Sequence, residues 1–264
     1  MKTINAFSIN MNQRIRLLEE ISANAWPAPY TIFHDGWLLR YANGYTRRAN
    51  SAMPLYRASG DLEAGVTFAE RFYNDRALPT FFKMTTAAEP MNLDEYLGER
   101  GYSVVARTSV QSVRLSDHMP DPELHDGDID VRTYPSIHWL EAAATMNRVN
   151  PMYHNLVRQM LTEHLLQQAL FVMVWDGTRP IATAMIVLER GFAGIFDVVV
   201  HKDYRGYGCG RKLVAYALWL AQQEGAHTAY LQVMLNNERA WRLYAKLGFT
   251  EEYQYWYREK PLPV

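Results

Sequence analysis

The chain has 264 residues, 48% of them apolar and 21% charged, with a formal net charge of -1. That is the composition of a globular protein of one large or two ordinary domains, with no overall field for nucleic acid or an anionic membrane. One cysteine, Cys209, excludes an intrachain disulfide and fits a reducing compartment. No signal peptide is evident at the start, and no apolar run approaches the ~20 residues of a membrane helix, so the expected setting is cytoplasmic.

Periodicity predicts a helix over 12–25, with Ile15, Leu18 and Ile21 on one stripe. Trp26-Pro27-Ala28-Pro29 ends it, because proline disfavours helix in the residue before it. Strands are expected over 36–42 and 45–55, joined at Asn43-Gly44, the preferred pair for a tight hairpin turn. A helix over 61–76 starts from the N-cap Asp61. A strand over 79–86, a helix over 93–100 closed by Gly101, and one or two strands over 102–115 follow. Residues 116–128 carry Asp117, Asp121, Glu123, Asp126 and Asp128 among two prolines and a glycine, the pattern of a solvated linker.

The second run opens with a strand over 130–133 and helices over 135–147 and 153–169. Strands over 171–175 and 181–189 flank an Asp176-Gly177 turn, and another spans 192–200. A helix over 211–224 ends at Gly225. A strand over 228–235, a helix over 238–247 and a strand over 253–259 complete it. Helices interleaved with strands predict a mixed α/β sheet. The acidic stretch 117–128 divides the chain into units of residues 1–116 and 129–264.

The most informative segment runs from Val198-Val199-Val200 through His201-Lys202-Asp203-Tyr204 into Arg205-Gly206-Tyr207-Gly208-Cys209-Gly210-Arg211. A buried strand enters a glycine-rich turn and then a helix. Alternating glycines let the backbone approach a ligand, and the first N–H groups of the helix form a cradle for anions. Arg205 and Arg211 add charge, so the segment reads as a phosphate or pyrophosphate site. It lacks the Gly-Lys-Ser/Thr ending of a Walker loop, and its glycine spacing is not that of a dinucleotide fingerprint. The eight histidines show no close metal-ligand spacing, so no metal is expected.

Arg205-x-x-Gly208-x-Gly210 resembles the Arg/Gln-x-x-Gly-x-Gly/Ala signature of the GCN5-related N-acetyltransferases (GNAT). Asn237-x-x-Ala240-x-x-Leu243-Tyr244-x-x-Leu247-Gly248-Phe249 resembles that family's second signature, and the element order from 130 to 259 also matches. The resemblance implies acetyl-CoA as cosubstrate and an amine as acceptor. It places the pyrophosphate on the backbone amides of Gly206 through Arg211, Tyr207 and Cys209 included. The pantetheine arm then lies along Val198, Val199 and Val200, with Asn237 also at the cofactor. Tyr244 is the implied acid for the departing thiolate. Gln232 stands where many relatives carry a glutamate base, which leaves Asp197 as a base acting through water or as a structural strand aspartate. His201 and Cys209 are read as non-catalytic.

The order of elements over 12–115 echoes the second half. Glu95-Tyr96-Leu97-Gly98-Glu99-Arg100-Gly101-Tyr102 looks like a faded Tyr-x-x-x-Gly-Phe, with Leu97 in the tyrosine's place and Pro90 in the asparagine's. Ser59-Gly60-Asp61 replaces the glycine signature, and Asp61 would repel a phosphate. The expectation is a tandem of GNAT-like domains with only the C-terminal one complete; an unrelated α/β cap is the alternative. Arg40, Arg47 and Arg48 are either solvated or part of a shared cleft. The expected function is acetyl transfer to a primary amine of a small or amino-acid-like molecule, by a monomer or homodimer. Acetylation of peptides, another acyl group and a non-catalytic acyl-CoA sensor are the alternatives.

Overall fold

Residues 10–57, 59–116 and 129–262 are described in the computed structural model. Helix α1 (Met11–Ala25) begins with a capping box in which Asn10 and Gln13 each bond the other's amide. Its buried stripe is Ile15, Leu18 and Ile21, and each such side chain taken out of water contributes roughly 1.5–3 kcal/mol.

A hairpin of β1 (Tyr30–His34) and β2 (Trp37–Tyr41) follows. It turns at Asp35-Gly36, both at positive φ, and not at Asn43-Gly44 as the sequence suggests. Asn43 and Gly44 also take positive φ, but no strand follows them. The Asn50 side chain accepts from the amides of Ala42 and Gly44 and donates to the carbonyls of Tyr45 and Thr46. Those backbone groups are thereby satisfied without a ladder. The expected strand over 45–55 is therefore a 3-10 turn, Arg47–Ala49, and a two-residue strand, β3 (Ala52–Met53).

Helix α2 (Leu62–Asn74) starts at Asp61, whose side chain makes no capping bond. Strand β4 (Thr80–Met84), helix α3 (Leu93–Glu99) and the long β5 (Ser103–Arg114) complete the first run. The proposed linker 117–128 lies outside the described residues. Then come β6 (Ile129–Arg132), α4 (Ile137–Asn147) and α5 (His154–Gln159), which widens into a π-helical turn, Met160–His164. The helix expected over 153–169 thus stops short, and Gln168 already belongs to β7 (Gln168–Asp176). The rest is β8 (Arg179–Glu189), β9 (Phe192–Val200), α6 (Cys209–Gln223), β10 (Thr228–Met234), α7 (Glu238–Ala245) and β11 (Thr250–Lys260).

All these strands form one mixed sheet, ordered β1-β2-β3-β4-β11-β5-β10-β9-β8-β7-β6. The order is not that of two sheets side by side. Strand β11 lies antiparallel between β4 and β5, and β5 lies antiparallel between β11 and β10. Each run of the sequence therefore sends its last strand past the other's.

Strand alternation sorts the core onto two faces. Phe81, Tyr253, Tyr255 and Tyr257 pack with α1, α4 and α5 on one face. On the other, Phe82, Met84 and Trp256 meet α2 and α3, while Val172, Ala184 and Ile195 meet α6. At the centre of the first face lies a buried ion pair, Glu19 to Lys83 at 2.6 Å. The Tyr253 hydroxyl donates to the same carboxylate at 2.8 Å, and the Lys83 ammonium sits 4.0 Å from the Tyr255 ring centroid. Three elements, α1, β4 and β11, are locked by one charge cluster. Glu19→Ala should lower unfolding stability by about 3–5 kcal/mol in urea titrations, because it leaves Lys83 buried and unpaired.

Candidate active site

The site lies where two neighbouring strands part. Strands β9 and β10 run parallel but pair only over Phe192–Gly194 and Thr228–Tyr230. Beyond that point β10 continues against β5, through Gln232 and Met234, while β9 stays with β8. The β10-facing backbone edge of β9 over 195–200 is left without a strand partner. Within it the β8–β9 register slips between Thr183–Val199 and Met185–Phe196, a bulge centred on Asp197, which takes a positive φ of 48°.

Val200 hands the chain to a 3-10 turn, Lys202–Tyr204, whose N-cap is His201; its ring nitrogen faces the amide of Asp203 at 3.3 Å. Arg205 folds back so that its Nε donates to the Val200 carbonyl at 2.9 Å. Gly206 and Gly208 follow at φ of 95° and 84°. A Cβ at either position would meet no atom within 4 Å, so the turn faces open space. Gly210 has the opposite reason to be glycine, for its Cβ would press on Leu243 at 3.2 Å and lie 3.5 Å from Val200. Among the described residues the amides of 206–210 have no acceptor, whereas those of Arg211 and Lys212 both donate to the Gly208 carbonyl. Five free N–H groups thus ring the positive end of α6. Arg211 can offer its exposed guanidinium but not its amide. The Tyr207 ring is 81% exposed, and Cys209 is a free, half-buried thiol.

The free edge of β9, the glycine turn and α7 enclose a groove of about 770 Å³ lined by Val198, Val199, Val200, Arg205, Arg211 and Tyr244 among others. Asn237 borders it as the N-cap of α7, its side-chain oxygen accepting from the Ala240 amide at 3.2 Å while its NH₂ stays uncommitted. The spacing of Tyr244 to Gly248-Phe249 has a local cause. The amides of Leu247 and Phe249 both close on the Tyr244 carbonyl, Gly248 turns the chain at φ 86°, and the Phe249 ring meets the Tyr244 ring edge-on at 5.8 Å. The helix end thereby fixes the phenol's position. Its hydroxyl has no hydrogen-bond partner among the described residues, and burial pushes its pKa up to about 12.

Tyr244, Asn237, Ala240 and Val198 also border a second, inner cavity of about 550 Å³. Asp197 is in its wall. The carboxylate accepts no hydrogen bond among the described residues, and desolvation raises its pKa, with Arg48 opposing. Gln232 lines the same space, its carbonyl already taken by the Tyr255 hydroxyl at 3.0 Å. Thr46, Arg47, Arg48, Thr108, Tyr255 and Tyr257 complete the wall, and sequence reasoning placed none of these six at a site with assurance. They come from the 42–50 loop, β5 and β11, which only the strand crossing brings together. The paired arginines beside Asn43-Gly44 were the available signal. Arg40 does not join them. It is buried, and its guanidinium donates to the carbonyls of Ala23, Trp26 and Arg48, with burial lowering its pKa to about 10.

Among the described residues no cluster of three or more His, Cys, Asp or Glu could hold a metal ion, and no helix is long and apolar enough to cross a membrane. An unpaired carboxylate with a raised pKa costs stability once it ionises. At neutral pH, above the ordinary carboxylate range, Asp197→Asn should raise the melting temperature. The gain should vanish as pH falls below the ordinary carboxylate range, where Asp197 is protonated in both states; scanning calorimetry across pH checks this.

A family model described as "Probable histone acetyltransferase Rv0428c C-terminal" matches residues 12–258. The uncharacterized N-acetyltransferase YobR of Bacillus subtilis is 28% identical over 253 residues, which cover 93% of this chain and 98% of that protein. Among solved structures, a GCN5-related N-acetyltransferase from Kribbella flavida matches with a TM-score of 0.68 at 17% identity over 98% of both chains. A tandem GNAT protein from the clavulanic acid biosynthesis pathway matches at 0.61 and 12% identity, covering 93% of this chain and 89% of its own. At such identities the two structures speak for the fold alone.

Proposed function

Because the chain belongs to the family of the Rv0428c C-terminal region, within the GCN5-related N-acetyltransferase superfamily, we propose that this N-acetyltransferase draws its acetyl group from acetyl-CoA and delivers it to the primary amine of a small, amino-acid-like molecule. The observation that carries this reading is the alignment of five free amides at the start of α6 with the unpaired edge of β9, both opening on one groove that ends at Tyr244.

The amides of Gly206, Tyr207, Gly208, Cys209 and Gly210, with the guanidinium of Arg211, hold the pyrophosphate. The edge of Val198, Val199 and Val200 receives the pantetheine amides as an added strand would, and the free NH₂ of Asn237 steadies the arm. Acetyl-CoA supplies a thioester activated towards amines. Asp197, made more basic by burial, takes a proton from the acceptor's ammonium directly or through water. The freed nitrogen forms the C–N bond while the C–S bond breaks and sulfur leaves with the electron pair. A phenol at about 12 is a weaker acid than a thiol at ~8.5. Tyr244 therefore stays protonated and stabilises the departing sulfur by donating a hydrogen bond, and the proton released by nitrogen settles on the thiolate. Residues 1–116 supply acceptor-side walls and no second cofactor site, since Asp61 occupies the start of α2.

Acetyl-CoA should raise the melting temperature of the protein in differential scanning fluorimetry, and Gly208→Val should remove the shift because its side chain enters the space above the amides. A wild-type protein that shows no shift would overturn the cofactor assignment. Tyr244→Phe should lower kcat by roughly 10²-fold while the acetyl-CoA-induced shift persists; an unchanged kcat would remove Tyr244 from the chemistry.

A further inference from the structure

The inner cavity continues into a further space of about 370 Å³ beneath α4, and the two share Thr46, Arg48, Asn147 and Asp197 in their walls. Its charges are unusual for an enzyme that binds an amine. Asp197 is the lone carboxylate, and Arg47, Arg48 and Arg148 are the cations. Among the described residues neither Arg47 nor Arg48 makes an ion pair. The Arg48 guanidinium lies over the Trp26 ring at 4.7 Å, and that of Arg47 over the Phe81 ring at 5.2 Å. A guanidinium held against a ring by cation–π attraction keeps N–H groups for another partner. Arg48 and Asp197 face the same space, and the Arg48 charge opposes the rise in the Asp197 pKa, yet they do not pair. A cation and an anion both left unpaired across one half-buried cavity suit a ligand that carries both charges.

The loop that presents Arg48 is held at several points along its backbone. The Arg40 guanidinium is clamped on the Arg48 carbonyl, and the Asn50 side chain binds the backbone at four points from Ala42 to Thr46. Thr46 is kept at φ 56° and ψ 140°, a strained conformation for a β-branched residue. Opposite, Tyr257 lines the cavity, and its buried hydroxyl has no hydrogen-bond partner among the described residues.

We propose that the acceptor is a zwitterionic amino carboxylate whose carboxylate is bound by the Arg48 guanidinium while its amino group is directed to Asp197. Arg48 is thus the specificity-determining residue, supplied by the part of the chain that holds no acetyl-CoA. Arg47 and Arg148 strengthen the positive field around the carboxylate. The same three arginines repel a lysine-rich tail, so the cavity disfavours polybasic peptides. This inference rests on the acetyl-transfer reading above.

The test is a panel of amino acids, each assayed beside its α-carboxamide and the amine that lacks the carboxyl group, with acetyl-CoA as donor. The acid should be preferred over its amide by roughly tenfold or more in kcat/KM. In Arg48→Met that ratio should collapse towards one through a rise in KM for the acid, with the acetyl-CoA-induced melting shift retained. Arg48→Lys should restore part of the preference, which a merely structural role would not give. Amides or simple amines used as well as the acids by the wild type, or no amino carboxylate turned over, would overturn the proposal while acetyl transfer stands. If acetyl-CoA itself fails to shift the melting temperature, the underlying reading falls with it. Should Arg48→Met not fold, the wild-type ratio and Arg48→Lys still decide.

Discussion

The union of the two runs of elements into one sheet depends on the seating of β11 between β4 and β5. Strand β11 forms its ladder with β4 through Trp256–Lys260 and with β5 through both its ends. Without it the sheet would divide between β4 and β5. With it, a single sheet carries α1, α4 and α5 on one face and α2, α3, α6 and α7 on the other. The buried Glu19–Lys83 pair is the side-chain counterpart of this backbone join. Such a pair is not chiefly a source of stability. It fixes which turn of α1 lies over which residue of β4, and through Tyr253 it fixes β11 in the same register.

The join also makes the cavity proposed for the acceptor. Tyr255 and Tyr257 reach it from β11, Thr108 from β5 and the arginines from the 42–50 loop, while Asp197 and Tyr244 come from the cofactor side. The chemistry therefore divides along the chain. Residues proposed to handle the thioester lie within one continuous stretch, from Val198 to Tyr244. Residues proposed to select the amine come from the 42–50 loop, β5 and β11.

This division explains what was legible in the sequence. The cofactor side is local, so its physics shows in short spacings. Gly206, Gly208 and Gly210 mark the turn, β9 matches residues 192–200 as read, and the Tyr244 to Phe249 interval is a helix-end hydrogen-bond pattern. The acceptor side is not local. Periodicity placed β5 and β11 as strands but carried no information on their partners, because the alternation of β11 would serve equally beside β10. Asn43-Gly44 has the right pair for a hairpin, yet Asn50, six residues on from Gly44, captured the backbone groups a strand would have used. Asp35-Gly36 made the hairpin instead, since Tyr30 to His34 could pair with β2 directly. The helix read over 153–169 ends earlier for a related reason: the pairing of Gln168 and Ala169 with β8, which the sequence does not display, draws the chain out into β7.

The crossing of the last strands also bears on how the protein comes into being. Strand β4 cannot gain its second neighbour until residues 250–260 have been synthesised, so the first run of elements waits with an open sheet edge while the second is made. A chain cut short before β11 would lack two tyrosines of the acceptor cavity and present β4 as an unpaired, apolar edge, the kind of surface on which chains aggregate. Completion of the sheet and completion of the site are one event.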